Sequence, residues 1–453
     1  MGPTSAVESP VDRARRLQDA GNNLCRRVDR SDAMAFVAVS EIRNARTQFQ
    51  GHEQASGSFV APETAYLVWS LKRPSEVDTL RAIYRTRLFV ISVHTPYQRR
   101  RERLAQAYAD AGGVDDGRGH TERAAELIDR DEREAKQSND PHGQNVSDTY
   151  PLADFFVDAY DRQRLAETLG RAIRVIFGDP FTTPSRGEFG MQLAETAALK
   201  SAELGRQVGA AILTEQGDVV TTGTNEVPRP GGGHFWEGDP NDDREFTRGA
   251  DTSDRLRHRL LNEVVGAVTQ VVDGIDSETK QSLIDALEDT RLADLIEFGR
   301  AVHAEMAALV DAARRGARLS QCVLYVTTFP CHLCTRMIIA AGITRVEYIY
   351  PYPKSLSGEL YGKQIDDGRG ASVDPGAMPF IPFLGVAPRR YSMAFTARPR
   401  SRRDSQGRAV RQYDRSPRLL IEDEFCDWDL STHQYREVEA VAKAEWLPDI
   451  VGE

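Results

Sequence analysis

The sequence predicts a two-domain α/β protein, and three observations carry that expectation. Its 453 residues are enough for two or three domains, each with its own core. In the first third, helical runs alternate with short apolar, β-branched runs, the pattern of an α/β unit with a parallel sheet. From Phe181 the pattern changes to a helix, a hairpin, and then strand, helix, strand. The expected extents are 1–170 for the first domain and 180–453 for the second, with an insertion at about 229–300.

Bulk composition narrows the class. Hydrophobic residues make up 40% and charged residues 28%, as in an ordinary soluble globular protein. No run of about eighteen apolar residues occurs, so no membrane partner is expected. The opening MGPTSAVESPVDRARR lacks the apolar core of a secretory signal, which points to a cytoplasmic location. Five cysteines are too few and too scattered for a disulfide framework. Cys25, Cys322 and Cys426 read as buried thiols. A net charge of −10 argues against a surface built throughout to hold a polynucleotide.

In chain order, VDRARRLQDAGNNLCRRVDR and AMAFVAVSEIRNARTQF carry helical patterns, and AYLVWSLKRPSEVDTLRAIY leads to LFVISVH, a buried strand. PYQRRRERLAQAY is a basic helix, followed by a Gly/Asp-rich loop around Gly112 to Gly119, the charged IDRDEREAKQSND and DTYPLADFFVDAY. The second domain opens with a helix from Glu188 to Ser201, a strand from Gln207, a turn at Gln216-Gly217 and a strand ending at Thr224. The insertion begins glycine-rich and acidic and continues as two amphipathic helices, Asp254 to Val272 and Ser277 to Leu295. His234 and Trp236, beside three glycines, fit a substrate pocket or a packed loop tip equally. Beyond it, Arg345 to Tyr350 is a strand leading into a Pro-broken loop with Tyr352, Lys354 and Ser355. In the tail, Arg398, Arg400, Arg402, Arg403, Arg408 and Arg411 form either a solvated loop or a lure for an anionic substrate or an RNA partner.

The chemistry concentrates in FGRAVHAEMAALVDAARRG and, about 26 positions after Glu305, TTFPCHLCTRMIIAAGI. His303 and Glu305 sit on the first turn of a helix that stops at Gly316. Cys322 to Thr328 is a strand running into Pro330 at a helix start, and Cys331 and Cys334 then share one helical face. His303, Cys331 and Cys334 are three ligands for Zn²⁺, which leaves a fourth position for water. Glu305 lies two residues from His303, too close in sequence to be a casual neighbour, and in the zinc-deaminase pattern, which these segments resemble, this Glu transfers protons and is not a ligand. Alone, a Cys-x-x-Cys could be a redox pair or half of a structural zinc knuckle. His332 lies between the cysteines and points off their face.

Joined, the two segments fit the H-x-E…P-C-x-x-C pattern of the zinc deaminases. RQVGAAI, GTNEVP and PYPKS extend the resemblance to a cytidine-deaminase-like αβα domain of the deoxycytidylate type. By that match Asn225 hydrogen-bonds the nucleoside, Glu226 and Pro228 shape the loop, and Lys354 or a nearby Arg contacts phosphate; on residue type alone Asn225 is equally a turn residue and Lys354 a solvated loop lysine. SLKRPSEVDTLRAIY and DRDERE…GQNVSDTYPLADFFV resemble the P-loop, nucleotide-kinase-like domain fused to deoxycytidylate deaminases in the anti-phage dCTP deaminase family. There Lys72, Arg73, Pro74 and Glu76 close a strand-to-helix turn and Asp129 to Arg133 fall in the lid. No G-x-x-x-x-G-K-[ST] string occurs, so this P-loop-like domain lacks its Walker A loop and is expected not to hydrolyse NTPs.

The resemblance implies zinc-dependent deamination of dCTP or dCMP with Glu305 as the catalytic residue, depletion of the deoxycytidine nucleotide pool in anti-phage defence, a homo-oligomer, and a regulatory RNA or protein acting on the N-terminal domain. The rival readings are a zinc deaminase acting on cytosine or adenine in nucleic acid, which wants stacking aromatics along a basic groove, and a non-catalytic protein in which zinc holds the fold. Glu305 speaks against the second, since a structural site has no use for it.

Overall fold

The computed structural model describes residues 10–48, 64–110, 119–137, 140–288, 290–292, 295–368, 374–396, 402–403 and 406–409. Most of the expected loop at 112–119, Cys426 and the tail arginines Arg398, Arg400 and Arg411 lie outside these. No described helix is long and apolar enough to cross a membrane.

The chain divides into two compact units, Ser185–Phe383 forming one and the described residues on either side of it the other. The first unit contains helices α1 (Pro10–Arg27), α2 (Ala33–Gln48) and α3 (Pro74–Tyr84), strand β1 (Ile91–His94), helices α4 (Tyr97–Asp110), α5 (His120–Gln137) and α6 (Val146–Thr149), strand β2 (Phe155–Asp158) and helix α7 (Arg162–Ile176). β1 and β2 pair in parallel from Ile91↔Phe155 to His94↔Asp158, the α/β arrangement expected from their apolar sequences. Phe155 and Val157 pack with Val175 and Ile176 of α7, while Phe36 and Val39 of α2 pack with Leu80 and Ile83 of α3.

The run before α3 departs from expectation. Helix α3 does start at Pro74, and Glu76 reaches back to accept the backbone N–H groups of Lys72 at 2.6 Å and Arg73 at 3.2 Å. Residues 64–73, however, take up no strand conformation. Among the described residues the sheet has the order β1-β2-β9, with β9 at Gly385–Val386, and this run pairs with none of the three.

The second unit is a six-stranded sheet of order β4-β3-β5-β6-β8-β7. Its strands are β3 (Gly209–Thr214), β4 (Val219–Thr224), β5 (Cys322–Thr328), β6 (Arg345–Tyr350), β7 (Ile365–Asp366) and β8 (Met378–Pro382). β3 is antiparallel to β4 and β5, and the remaining pairs are parallel. Helix α8 (Arg186–Ala198) starts in a capping box, Ser185 Oγ accepting from Glu188 N and Glu188 accepting from Ser185 N. The insertion supplies α9 (Glu245–Arg248), α10 (Thr252–Val271) and α11 (Ser277–Glu288), the last stopping short of the expected Leu295. Then follow α12 (Ala304–Arg314), α13 (His332–Ala341) and α14 (Ser357–Tyr361).

Strand alternation puts the helices on opposite faces. Ala210, Ile212, Leu324 and Val326 join Ala304, Ala308 and Ile338 in one cluster under α12 and α13. On the other face α8 comes so close that a Cβ at Gly190 would lie 2.4 Å from the Tyr325 ring. The result is a helix, sheet, helix sandwich with apolar β5 at its centre.

The expected extent of the second domain, 180–453, needs correction. Its compact unit ends at Phe383. β9 (Gly385–Val386) then pairs antiparallel with β2 of the first unit, and α15 (Pro388–Phe395) follows. Arg390 Nε lies 3.1 Å and Arg389 Nε 3.4 Å from the fully buried carboxylate of Asp154, which Arg81 also meets at 3.3 Å. A buried carboxylate needs paired charge, and the returning segment supplies part of it.

Candidate active site and metal centre

Two helix starts converge at one end of the sheet. His303 is the N-cap of α12, with Glu305 in its first turn. Cys331 is the N-cap of α13, with Cys334 in its first turn. Pro330 therefore stands one residue before the cap, not inside the helix as the sequence suggested. Its carbonyl accepts the hydroxyls of Ser355 at 2.8 Å and Ser357 at 3.2 Å, which fixes where the Cys331 thiol emerges. The positive ends of both helices favour anionic thiolate and carboxylate here.

His303 Nδ1 lies 3.3 Å from Cys331 Sγ and 3.3 Å from Cys334 Sγ. All three ligand atoms fall within 4.8 Å of one another. Tetrahedral zinc, with bonds of about 2.0–2.1 Å to nitrogen and about 2.3 Å to sulfur, asks for separations of this order. One imidazole and two thiols form the borderline-soft donor set that Zn²⁺ takes, so these residues fit the ion. His332 is not part of the cluster.

The titrations reflect the crowding of these groups. The Cys331 thiol is pulled down to about 4, first by its hydrogen bond with Cys334 and then by His303, against burial. Cys334 is pushed up by that same bond and by burial. His303 rises to about 8 through its bond to Cys331. Glu305 is pushed up to about 7 by burial and by the neighbouring Cys331.

His303, Glu305 and Cys331 line a cavity of about 210 Å³, with Cys334 buried behind them. Asn225 lines it, as expected, but its amide also holds the main chain in place. Oδ1 accepts from Val208 N at 2.6 Å and Nδ2 donates to Arg206 O at 2.7 Å. One lone pair and one N–H remain for a ligand. The structure does not bring Lys354 to the cavity. It is exposed and outside the lining, whereas Tyr352, two residues earlier, forms part of the wall. The loop is held by Ser355, whose hydroxyl reaches back to the Pro330 carbonyl.

Sequence reasoning gave no binding role to Arg206, Phe329, Tyr352 or Ile296, all of which line the cavity. The Arg206 guanidinium lies 5.6 Å from the Tyr352 ring centroid and, among the described residues, has no carboxylate partner. Its only sequence signal is a cation just ahead of the buried strand VGAAI. Phe329 is held edge-on by Tyr348 and Phe380, with centroids 4.9 and 5.6 Å away. His234 and Trp236 take the loop-tip alternative: neither lines the cavity, and Trp236 is 58% exposed with Lys200 Nζ 3.7 Å over its ring.

Part of the chain is similar to known proteins. Residues 184–350 match the family model of the cytidine and deoxycytidylate deaminase zinc-binding region. The chain is 37% identical over 57 residues to the deoxycytidylate deaminases of Enterobacteria phages T2 and T4. That stretch is 13% of this chain and spans about 30% of the length of each relative. The apo dCMP deaminase of cyanophage S-TIM5 is similar at 18% identity, over 44% of this chain and 98% of that one, with a TM-score of 0.24. The second unit thus has a cytidine-deaminase-like α/β fold, and its His/Cys/Cys cluster fits Zn²⁺.

Proposed function

We propose that the second unit catalyses hydrolytic deamination of a free deoxycytidine nucleotide, dCMP or dCTP, to the deoxyuridine nucleotide. The observation that carries this reading is Glu305, a carboxylate only 4% exposed, in the wall of a cavity where His303, Cys331 and Cys334 converge. These three residues would hold Zn²⁺, which when bound would supply the Lewis acidity that makes water a nucleophile near neutral pH. Glu305 would take one proton from the attacking water and give it to the ring nitrogen as the water oxygen bonds C4, then pass the second water proton to the amine, so that the C4–N bond breaks, ammonia leaves and C4 keeps a carbonyl oxygen. Burial that lifts its carboxyl towards neutrality suits a group that must both accept and return a proton.

Val208 and Phe329 offer the apolar walls a pyrimidine needs, and the spare amide valences of Asn225 suit a sugar hydroxyl. Arg206, in place of Lys354, meets the phosphate: a guanidinium without a carboxylate partner among the described residues is a ready anion site. Relatives named for the deoxycytidylate substrate support the same assignment. In line with the family resemblance, the reaction would drain the deoxycytidine nucleotide pool in anti-phage defence in the cytoplasm. The protein would act as a homo-oligomer, with residues 1–170 as a P-loop-like regulatory domain answering to RNA or protein.

The test is a substrate panel. Purified protein is incubated with dCMP, dCTP, deoxycytidine and a single-stranded cytosine-containing oligonucleotide, and ammonia and uracil products are measured. Turnover of dCMP or dCTP with the oligonucleotide unchanged is the expected result. Conversion of cytosines in the oligonucleotide, with free nucleotides untouched, overturns the reading in favour of a nucleic-acid deaminase.

A further inference from the structure

Glu226 stands next to Asn225 but outside the cavity lining, and it takes no part in the chemistry above. Its residue is 1% exposed, and each carboxylate oxygen accepts one backbone N–H. Oε2 accepts from Ala202 N at 2.8 Å, and Oε1 from Val227 N at 2.8 Å. Its main chain pairs in both directions with Val302, at 3.3 and 3.0 Å, and Val302 directly precedes His303. One residue thereby ties three segments: the loop after α8, the continuation of β4, and the approach to α12.

The loop it ties, residues 201–208, carries Arg206. Its other fastenings come from the same corner. Ser201 Oγ donates to Asn225 O at 2.7 Å, and the Asn225 amide bonds the main chain at 206 and 208. We propose that Glu226 is a positioning residue that registers the phosphate-contacting loop against the segment bearing the metal ligand His303. The inference rests on the reading of the cavity as a nucleotide site with Arg206 at the phosphate.

Only a carboxylate meets both donors. Ionised, it is an acceptor at both oxygens and matches two N–H groups, whereas the glutamine amide accepts at one atom and donates at the other. Glu226→Gln conserves size and leaves the main-chain pairing with Val302 intact, yet turns an N–H towards a backbone N–H that needs an acceptor. The loop end loses its register while the metal ligands keep theirs.

The experiment compares wild-type, Glu226→Gln and Glu226→Asp proteins in zinc content, in KM and kcat for dCMP and deoxycytidine, and in calorimetric binding of dUMP and deoxyuridine. For Glu226→Gln we expect one zinc per chain, unchanged kcat, KM for dCMP raised and dUMP binding weakened, both by about tenfold, the factor that roughly one charge-assisted hydrogen bond provides. Deoxycytidine and deoxyuridine should behave as with wild type. Glu226→Asp, with two acceptors on a shorter stem, should recover part of the loss. Equal losses on nucleotide and nucleoside, loss of zinc, or wild-type KM and dUMP binding in Glu226→Gln each overturn the positioning role. The same measurements with dCTP and dUTP run alongside; if the wild-type protein turns over neither dCMP nor dCTP and binds neither dUMP nor dUTP, the functional reading itself falls, and this inference falls with it.

Discussion

Gly223, in β4, sets how closely the metal-site helix can approach the sheet. A Cβ there would lie 2.2 Å from Ala304 O, 2.5 Å from Ala308 N and 3.0 Å from Ala308 Cβ. The two nearest atoms are main chain of α12, so no rotamer change relieves the overlap. The helix must withdraw by about 0.8 Å to restore a 3.0 Å contact with Ala304 O. Ala304 lies between His303 and Glu305, so the reacting groups move with it. Overpacking of this kind costs about 1–3 kcal/mol, and a misplacement of roughly 1 Å at reacting groups costs on the order of 10²-fold in rate. Gly223→Ala should therefore lower kcat for the nucleotide about a hundredfold and shift the urea midpoint downward. Gly266→Ala in α10 is the control: its Cβ meets open space, and full activity with a gain of up to about 1 kcal/mol is expected. A Gly223→Ala protein with wild-type turnover and midpoint would refute the packing argument.

Other outcomes follow from the same geometry. Arg206→Ala should raise KM for dCMP about tenfold without touching deoxycytidine, and Lys354→Ala should leave both unchanged; initial rates of ammonia release decide, and the reverse pattern would return the phosphate contact to Lys354. In the first unit, burial holds His94 down at about 4, outweighing the attraction of Asp158. Because this lies below the ordinary histidine value, the stability His94 contributes is complete above pH 6.5 and is lost as pH falls towards 4. Between pH 7.5 and 5 the loss is about 2 kcal/mol, read by urea denaturation. His94→Asn should flatten that slope, and an unchanged slope would assign the pH dependence to other groups.

How far the sequence could be read depended on whether a feature is local. Cys322–Thr328 and Arg345–Tyr350 are legible as strands because each is a short apolar or β-branched run closed by a turn signal, and the structure has them at those bounds. The His303, Cys331 and Cys334 cluster is legible because its chemistry restricts both residue type and spacing. The return of β9 to β2 is not: two residues, Gly385 and Val386, carry too little pattern to announce a partner so distant in the chain. Nor is the presence of Arg206, and not Lys354, in the cavity wall. Which cation reaches the cavity depends on Ser355 binding Pro330 and on the Asn225 amide fastening residues 206 and 208, contacts between segments that no periodicity encodes.

The most direct test is turnover by Glu305→Gln beside wild type, with zinc measured by emission spectroscopy on the same samples. The substitution keeps size and removes the carboxylate that carries the proton, while His303, Cys331 and Cys334 remain. We expect one zinc per chain in both proteins, deoxyuridine nucleotide formed by the wild type, and a rate in Glu305→Gln lower by about 10²–10⁴-fold. Full turnover in zinc-loaded Glu305→Gln, or a zinc-loaded wild type inert towards both dCMP and dCTP, would contradict the account.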